Sequence, residues 1–379
     1  MSKKLMPRYL EEFIKEDLKT KMVFIGGPRQ VGKTTLAQGL LRNYRDGHPA
    51  YLNWDNDHHR HKIKNQNWPK NEPLIIFDEI HKHKKWRTLL KGYYDTFKNS
   101  HSFLVTGSAR LDHFRKGGDS LLGRYYYYRL HPYSVAELNH ATTNVERLLK
   151  FGGFPEPYHT QDDRYLRRWH IQRLDRLIRT DLKDWEDVKD LEKIYQLAEE
   201  LPNRVGSPLS INSLANDIEA DFKSIKRWLG ILSSLYYCYQ ISPFGAAKIR
   251  AVKKEQKLYL YDWSQVEAPG IRFENMVASH LLKYCHYMED VEGYKMELRF
   301  LRDTDKREID FVLLKNKKPL FAVECKYGDK KLSPHIPYFR ERTDIPHFYQ
   351  VHLGQASKQI DDRTSILPFI DFCRHVGLV

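Results

Sequence analysis

Cysteine is scarce in this chain: there are four, Cys238, Cys285, Cys325 and Cys373. None sits in a CxxC pair, which argues against a zinc site or a disulfide framework and for a reducing, cytoplasmic setting. No apolar run approaches the ~18 residues that a membrane-spanning helix needs. The opening "MSKKLMPRYLEEFIKEDL" lacks the apolar core of a signal peptide, and there is no internal repeat or low-complexity tract. Acidic charge is in deficit. Forty-nine Asp+Glu face 63 Lys+Arg, for a net charge of +14. That surplus favours a polyanionic partner, with nucleic acid ahead of a membrane surface. With 379 residues, 41% of them hydrophobic, the chain has the material for two or three folded domains.

The sharpest local signal is "KMVFIGGPRQVGKTTLAQGLLRNY". An apolar strand, Met22–Ile25, leads into Gly27-x4-Gly32-Lys33-Thr34, and a helical pattern leads out. Strand, glycine loop and helix together are the context of a P-loop. The loop Gly27, Pro28, Arg29, Gln30, Val31, Gly32, Lys33, Thr34 and Thr35 would cradle the phosphates of ATP with its backbone N–H groups, which every residue but Pro28 carries. Lys33 would reach the β- and γ-phosphates, and Thr34 would hold Mg2+. "EPLIIFDEIHK" supplies the partner. Leu74–Phe77 reads as a strand buried on both faces. It ends in Asp78, suited to the magnesium shell, and Glu79, suited to polarising the attacking water. A third strand, "SFLVTGSARL", ends in Thr106-Gly107-Ser108, and Ser108 is placed to sense the γ-phosphate. Strands expected near 21–26, 50–54, 73–78, 102–107 and 125–130 alternate with helical segments, which predicts a parallel α/β sheet.

The segments "GPRQVGKTTL", "LIIFDEIHK", "LVTGSARL" and "LLGRYYYYRLHPYSVAEL" resemble, in order, the pattern of one bacterial and archaeal group of AAA-type (AAA+) ATPases. The resemblance implies a homo-oligomer, a hexamer or partial ring, in which an arginine reaches a neighbouring subunit's γ-phosphate. Candidates are Arg110, Arg115 and Arg124. The segment "FGGFPEPY" also fits the group and marks a linker or tight turn with a domain boundary nearby.

Residues 208–244 read as helix, turn, helix, strand. Leu214 and Ile218 mark one apolar face, and Ile225, Trp228, Leu229, Leu232 and Leu235 mark the next. Lys223, Lys226 and Arg227 lie on the exposed side of the second helix. "AAKIRAVKKEQKLYLYD" then suggests a basic wing carrying Lys248, Arg250, Lys253, Lys254 and Lys257. A winged helix of this kind can dock on DNA; winged helices also serve as protein–protein modules.

The last third contains "REIDFVLLKNKKPLFAVECKYG", two alternating strands joined by a turn. Glu324 and Lys326 are two apart and so share one face of a strand, where unpaired charge is costly. They form either a structural ion pair or part of a metal and phosphate site. The order Asp310-x13-Glu324-x-Lys326, preceded by a helix bearing Glu274, resembles the PD-(D/E)xK nuclease fold. That resemblance implies a magnesium shell of Asp310, Glu324 and Glu274, with Lys326 assisting at the phosphate.

The expected architecture is therefore an AAA+ ATPase domain (1–140), a helical and winged-helix segment (141–270) and an α/β nuclease-like domain (271–379). The expected function is ATP-driven binding or remodelling of duplex or branched DNA, with no membrane partner. The alternative is an ATP-switched regulatory or protein-remodelling machine with an inert nuclease-like domain.

Overall fold

The computed structural model of the chain describes residues 6–43, 46–107, 121–140, 142–182, 190–245, 255–328 and 331–379. It divides into two compact units, Met1–His131 and Pro132–Val379.

The first unit is built on five strands: β1 (Met22–Gly26), β2 (Tyr51–Asn53), β3 (Leu74–Asp78), β4 (Ser102–Thr106) and β5 (Tyr125–Arg129). Their spatial order is β2-β3-β4-β1-β5, and every pairing is parallel. The strands fall within a residue or so of the expected positions. β1 is buried throughout and β3 and β4 nearly so, which is why their sequences are apolar runs without alternation. The helices include α1 (Glu11–Asp17), α2 (Lys33–Gly39), α3 (Asp57–Lys64) and α4 (Trp86–Phe97).

The second unit starts with helices α5 (Thr142–Phe151), α6 (Pro155–Thr160), α7 (Asp163–Arg176) and α8 (Leu191–Glu200). Then come α9 (Ile211–Asp217) and α10 (Phe222–Ser234), joined by a short turn. Ser210 caps α9 and Asp221 caps α10, each side chain accepting N–H bonds from the first turn. Leu214, Ile218, Ile225, Trp228, Leu229, Leu232 and Leu235 are all buried, as the periodicity required.

Strands β6 (Cys238–Pro243) and β7 (Lys257–Leu260) follow, then the long helix α11 (Pro269–Asp290). The rest is β8 (Met296–Arg302), β9 (Glu308–Lys315), β10 (Lys318–Lys326), α12 (His335–Arg340), β11 (Phe348–His352), β12 (Lys358–Asp361), β13 (Thr364–Pro368) and α13 (Phe369–His375). The eight strands form one sheet in the order β12-β13-β11-β10-β9-β8-β6-β7. β8, β9 and β10 are antiparallel neighbours, and β11 runs parallel to β10. Asn316 and Lys317 both take positive φ, as a two-residue hairpin turn between β9 and β10 demands.

Strand β6 pairs with β8 (Ser242 with Arg299, Pro243 with Phe300) and so joins the middle segment to the C-terminal sheet. In "FGGFPEPY" a turn at Gly152 and Gly153 leads into α6 at Pro155. Gly152 has φ +75, and a Cβ on Gly153 would lie 2.7 Å from Trp263, so these glycines admit a close approach. Among the described residues no helix is long and apolar enough to cross a membrane.

Candidate nucleotide site and a buried charge cluster

The loop after β1 is shaped by contacts that exclude side chains. A Cβ on Gly26 would lie 1.5 Å from the Tyr127 hydroxyl, and one on Gly27 (φ +128) would lie 2.3 Å from the Leu130 carbonyl oxygen. Gln30 takes φ 61 and Gly32 φ 99 before α2 begins at Lys33. Lys33 is buried, and its Nζ donates to the carbonyls of Gly27 at 2.9 Å and Pro28 at 2.6 Å. The ammonium thus lies within the arc of the loop.

β4 separates β1 from β3, so Asp78 must reach the loop past the end of β4. Thr106, in register with Asp78 on β4, donates its hydroxyl to Oδ1 at 2.6 Å. Oδ2 accepts from Thr34 at 3.0 Å and Tyr51 at 2.6 Å. Thr34 and Asp78, paired in the sequence reading, therefore meet. Thr106 and Tyr51 were not assigned to the site, though Thr106 ends the strand next to Ser108.

Glu79 follows in a left-handed conformation, φ 56 and ψ 20, its N–H donating to the Thr106 carbonyl at 3.0 Å. A non-glycine residue held there stores backbone strain. Its Oε2 is buried without a hydrogen-bond partner, 3.5 Å from His81 Nε2 and 3.6 Å from Lys82 Nζ. Burial, with the adjacent Asp78, raises the carboxyl's proton affinity, against the pull of Lys82, Lys33 and Arg29.

Arg124 immediately precedes β5, and its carbonyl accepts the N–H of Met22. It lies at the edge of the sheet opposite the loop, about 17 Å away along a five-residue strand. Its guanidinium forks onto Asp95, Nε at 2.8 Å and Nη2 at 3.2 Å. Ser108, Arg110 and Arg115 lie outside the described residues. Sequence reading missed Arg8, which is buried and donates to the carbonyls of Val31 at 2.8 Å and His131 at 2.5 Å. It ties the loop to the chain leaving β5, and nothing in "MPRYLEEF" distinguishes it.

In the second unit, Glu324 and Lys326 pair at 2.7 Å on one face of β10. Asp310 of β9 accepts the Cys325 N–H at 2.7 Å, and Glu274 of α11 accepts from the Tyr259 hydroxyl at 2.7 Å. The surprise is Lys257. It was expected on a basic wing; it is instead 1% exposed. Its Nζ bonds Glu308 and stands 3.7 Å from Glu274 and 4.0 Å from Asp310. Glu308 also accepts from Arg302 at 2.7 Å. Lys257 and Arg302 together do not neutralise Glu274, Glu308 and Asp310. Burial, with Asp310 close by, pushes Glu274 up to about 8, and burial with Glu324 pushes Asp310 up to about 7. Burial raises Glu324 too, despite Lys326. Burial opposes the charge on Lys257, but the surrounding acids outweigh it and raise its proton affinity.

Glu274, Asp310 and Glu324, expected as a magnesium shell, have Lys257, Tyr259, the Cys325 N–H and Lys326 as their near partners. Among the described residues no group of three or more His, Cys, Asp or Glu is placed to hold a metal ion. The cation among the acids is Lys257, brought in by β7. Lys248, Arg250, Lys253 and Lys254 of the expected wing lie outside the described residues.

Lys257→Ala should destabilise the protein by about 3–5 kcal/mol, because it leaves buried carboxylates uncompensated; chemical denaturation measures this. The acids predict a pH dependence. Glu274 and Asp310 hold their protons more tightly folded than unfolded, so the stability they contribute is full below their ordinary values of 4.5 and 3.8. It is lost as pH rises through about 7 and about 8. The denaturation midpoint should thus fall over that range, and Asp310→Asn should flatten the slope.

The family models divide the chain into three segments. Residues 19–139 match a family model described as an AAA domain. Residues 142–268 and 269–372 match two models described as domains of unknown function, DUF8612 and DUF4143. Two uncharacterized proteins of Methanocaldococcus jannaschii are similar over most of their length. MJ1637 is 22% identical over 391 residues, covering 86% of this chain and 79% of that protein. MJ1544 is 23% identical over 410 residues, covering 95% and 90%. Among solved structures, the Thermotoga maritima RuvB Holliday junction branch migration motor is 17% identical with a TM-score of 0.31, covering 62% of this chain and 92% of that one. The Aeropyrum pernix ORC1 protein in complex with DNA is 11% identical with a TM-score of 0.33, covering 73% and 94%. Scores this low add nothing to the case made by the site itself. The loop after β1, its buried lysine, the Thr34–Asp78 contact across β4 and the family match agree: the first unit is an AAA-type P-loop ATPase domain.

Proposed function

We propose that the protein couples ATP hydrolysis to the binding or remodelling of DNA, as a homo-oligomer. The observation that carries the ATPase half is the buried Asp78 carboxylate, which gathers Thr34 and Thr106 at the mouth of the loop. Thr34 and Asp78 would hold magnesium there, which supplies charge neutralisation at the phosphates. Lys33 turns from the Gly27 and Pro28 carbonyls to the β/γ-phosphates, where its charge is better compensated. Glu79 has its unpartnered oxygen and raised proton affinity available to orient a water and take up its proton. Arg124 is too far from its own loop to serve it. In an assembly it would exchange Asp95 for the phosphate of a neighbouring chain.

For DNA, the support is the net charge of +14 and the exposed Lys223, Lys226 and Arg227 on the second helix of the α9–α10 pair. The order α11, β8–β9–β10, α12, β11 supports a nuclease-like fold for the C-terminal part. With Lys257 among its acids, that part grips DNA or partner chains rather than cutting. The second reading, a protein-remodelling or regulatory ATPase, keeps the same ATP chemistry.

The deciding experiment is the ATPase rate with and without single-stranded, duplex and four-way-junction DNA, alongside a cleavage assay in magnesium and manganese. Stimulation without cleavage is expected. Absence of both stimulation and salt-dependent binding would pass the case to protein remodelling, and metal-dependent cutting by the wild type would overturn the inert site.

Lys33→Ala should lower hydrolysis by orders of magnitude. Glu79→Gln should still bind ATP but turn it over slowly, as single-turnover kinetics would show. Arg124→Ala mixed with wild type should depress activity more than dilution does. Equal specific activity at all mixing ratios would remove the shared site.

A further inference from the structure

Helix α7 uses its arginines in two ways. Its buried side carries Leu166, Trp169, Arg173 and Leu174. Arg173 belongs to the fold: its guanidinium lies 4.3 Å over the Phe154 ring and 5.4 Å over that of Trp169. Arg164, Arg167 and Arg168 point the other way and are exposed; Arg176 is exposed on the flank of the helix. Among the described residues no acidic side chain pairs with any of the four. The acids along this helix are committed elsewhere: Asp163 to Lys150, Asp162 to the helix cap and Asp175 to Arg179.

Arg164 and Arg168 are four residues apart and Arg164 and Arg167 three apart, spacings at which like charges on a helix repel. The fold gains nothing from this arrangement. It becomes favourable when an external polyanion lies along the helix. Arg164, Arg167 and Arg168 form a short row across one turn of the helix, and Arg176 extends it about 18 Å along the axis on the neighbouring flank, at 1.5 Å and about 100° per residue. Arginine rather than lysine suits the row, because the guanidinium fork bonds phosphate oxygens in pairs. Ile171, 57% exposed, lies on the same side and offers an aliphatic contact to sugar between phosphates.

We propose that the exposed face of α7 is a phosphate-backbone grip for duplex DNA, separate from the α10 surface. This rests on the DNA-binding reading above and names a surface for it. The contacts are to backbone, so the grip is indifferent to sequence and sensitive to salt.

The test is equilibrium binding of a mixed-sequence duplex across a salt series. It compares wild type, a variant combining Arg164→Gln, Arg167→Gln, Arg168→Gln and Arg176→Gln, and a variant combining Lys223→Gln and Lys226→Gln. Glutamine keeps helix propensity. The fourfold variant should lower the slope of log affinity against log salt by about 3–4, at about 0.9 per phosphate contact. Its melting temperature and DNA-free ATPase rate should match wild type. Should it misfold, the single variants Arg164→Gln and Arg176→Gln should each lower the slope by about one. An unchanged slope, with loss only in the α10 variant, overturns the grip while leaving DNA binding in place. Failure of the wild type to bind duplex at all overturns the DNA reading and the grip together. Binding of phosphatidylserine vesicles through these arginines, with no duplex bound, overturns the grip in favour of a membrane surface.

Discussion

The nucleotide site depends on one carboxylate, Asp78, held at the end of a strand that does not touch the P-loop strand. The sheet order places β4 between them. A carboxylate taken out of water needs donors, and here three hydroxyls supply them, from Thr34, Tyr51 and Thr106. Each comes from a different element: the first turn of α2, the start of β2 and the end of β4. The hydrogen bonds therefore set how far α2 stands from β3, and the loop between β1 and α2 must fit that distance. It does so with Gly27 against the Leu130 carbonyl and with Gln30 and Gly32 at positive φ. The loop glycines and the aspartate two strands away solve a single geometric problem.

That explains what could be read from the sequence. Apolar runs gave the five strands, and helical spacing gave the buried faces of α9 and α10, because burial on a regular element leaves a periodic trace. Strand alternation put Glu324 and Lys326 on one face of β10. Thr106 and Tyr51 left no such trace; an isolated hydroxyl becomes a ligand to Asp78 only once strand order is known. Arg8 reaches Val31 and His131, 23 and 123 residues away. Lys257 was misplaced for a related reason. Among Lys253, Lys254 and Lys257 it looks like one more surface cation, and its partner Glu308 lies 51 residues on. Its strand is buried at every position, so its side chain is committed to the interior. Local sequence likewise carries no sign that β6 would join β8.

Asp78 and Lys257 show the same constraint met in opposite ways. The donors around Asp78 are neutral hydroxyls, so its negative charge is oriented but not cancelled. Such a site retains attraction for a cation arriving with a phosphate. Around Lys257 the compensation is internal. A fixed ammonium, tethered by β7, lies among Glu274, Glu308 and Asp310, and a divalent ion entering there would meet both its repulsion and its hydrogen bonds. The residual crowding of acids is relieved by protons, which is what the raised proton affinities of Glu274 and Asp310 express. A charged cluster of this kind contributes less stability than an apolar core of equal volume, yet fails badly when one member is removed. It joins β7, α11 and β9, which come from separate stretches of sequence, at one point. Lys257 therefore acts as a structural brace beside Asp310, Glu324 and Lys326 on the neighbouring strands β9 and β10.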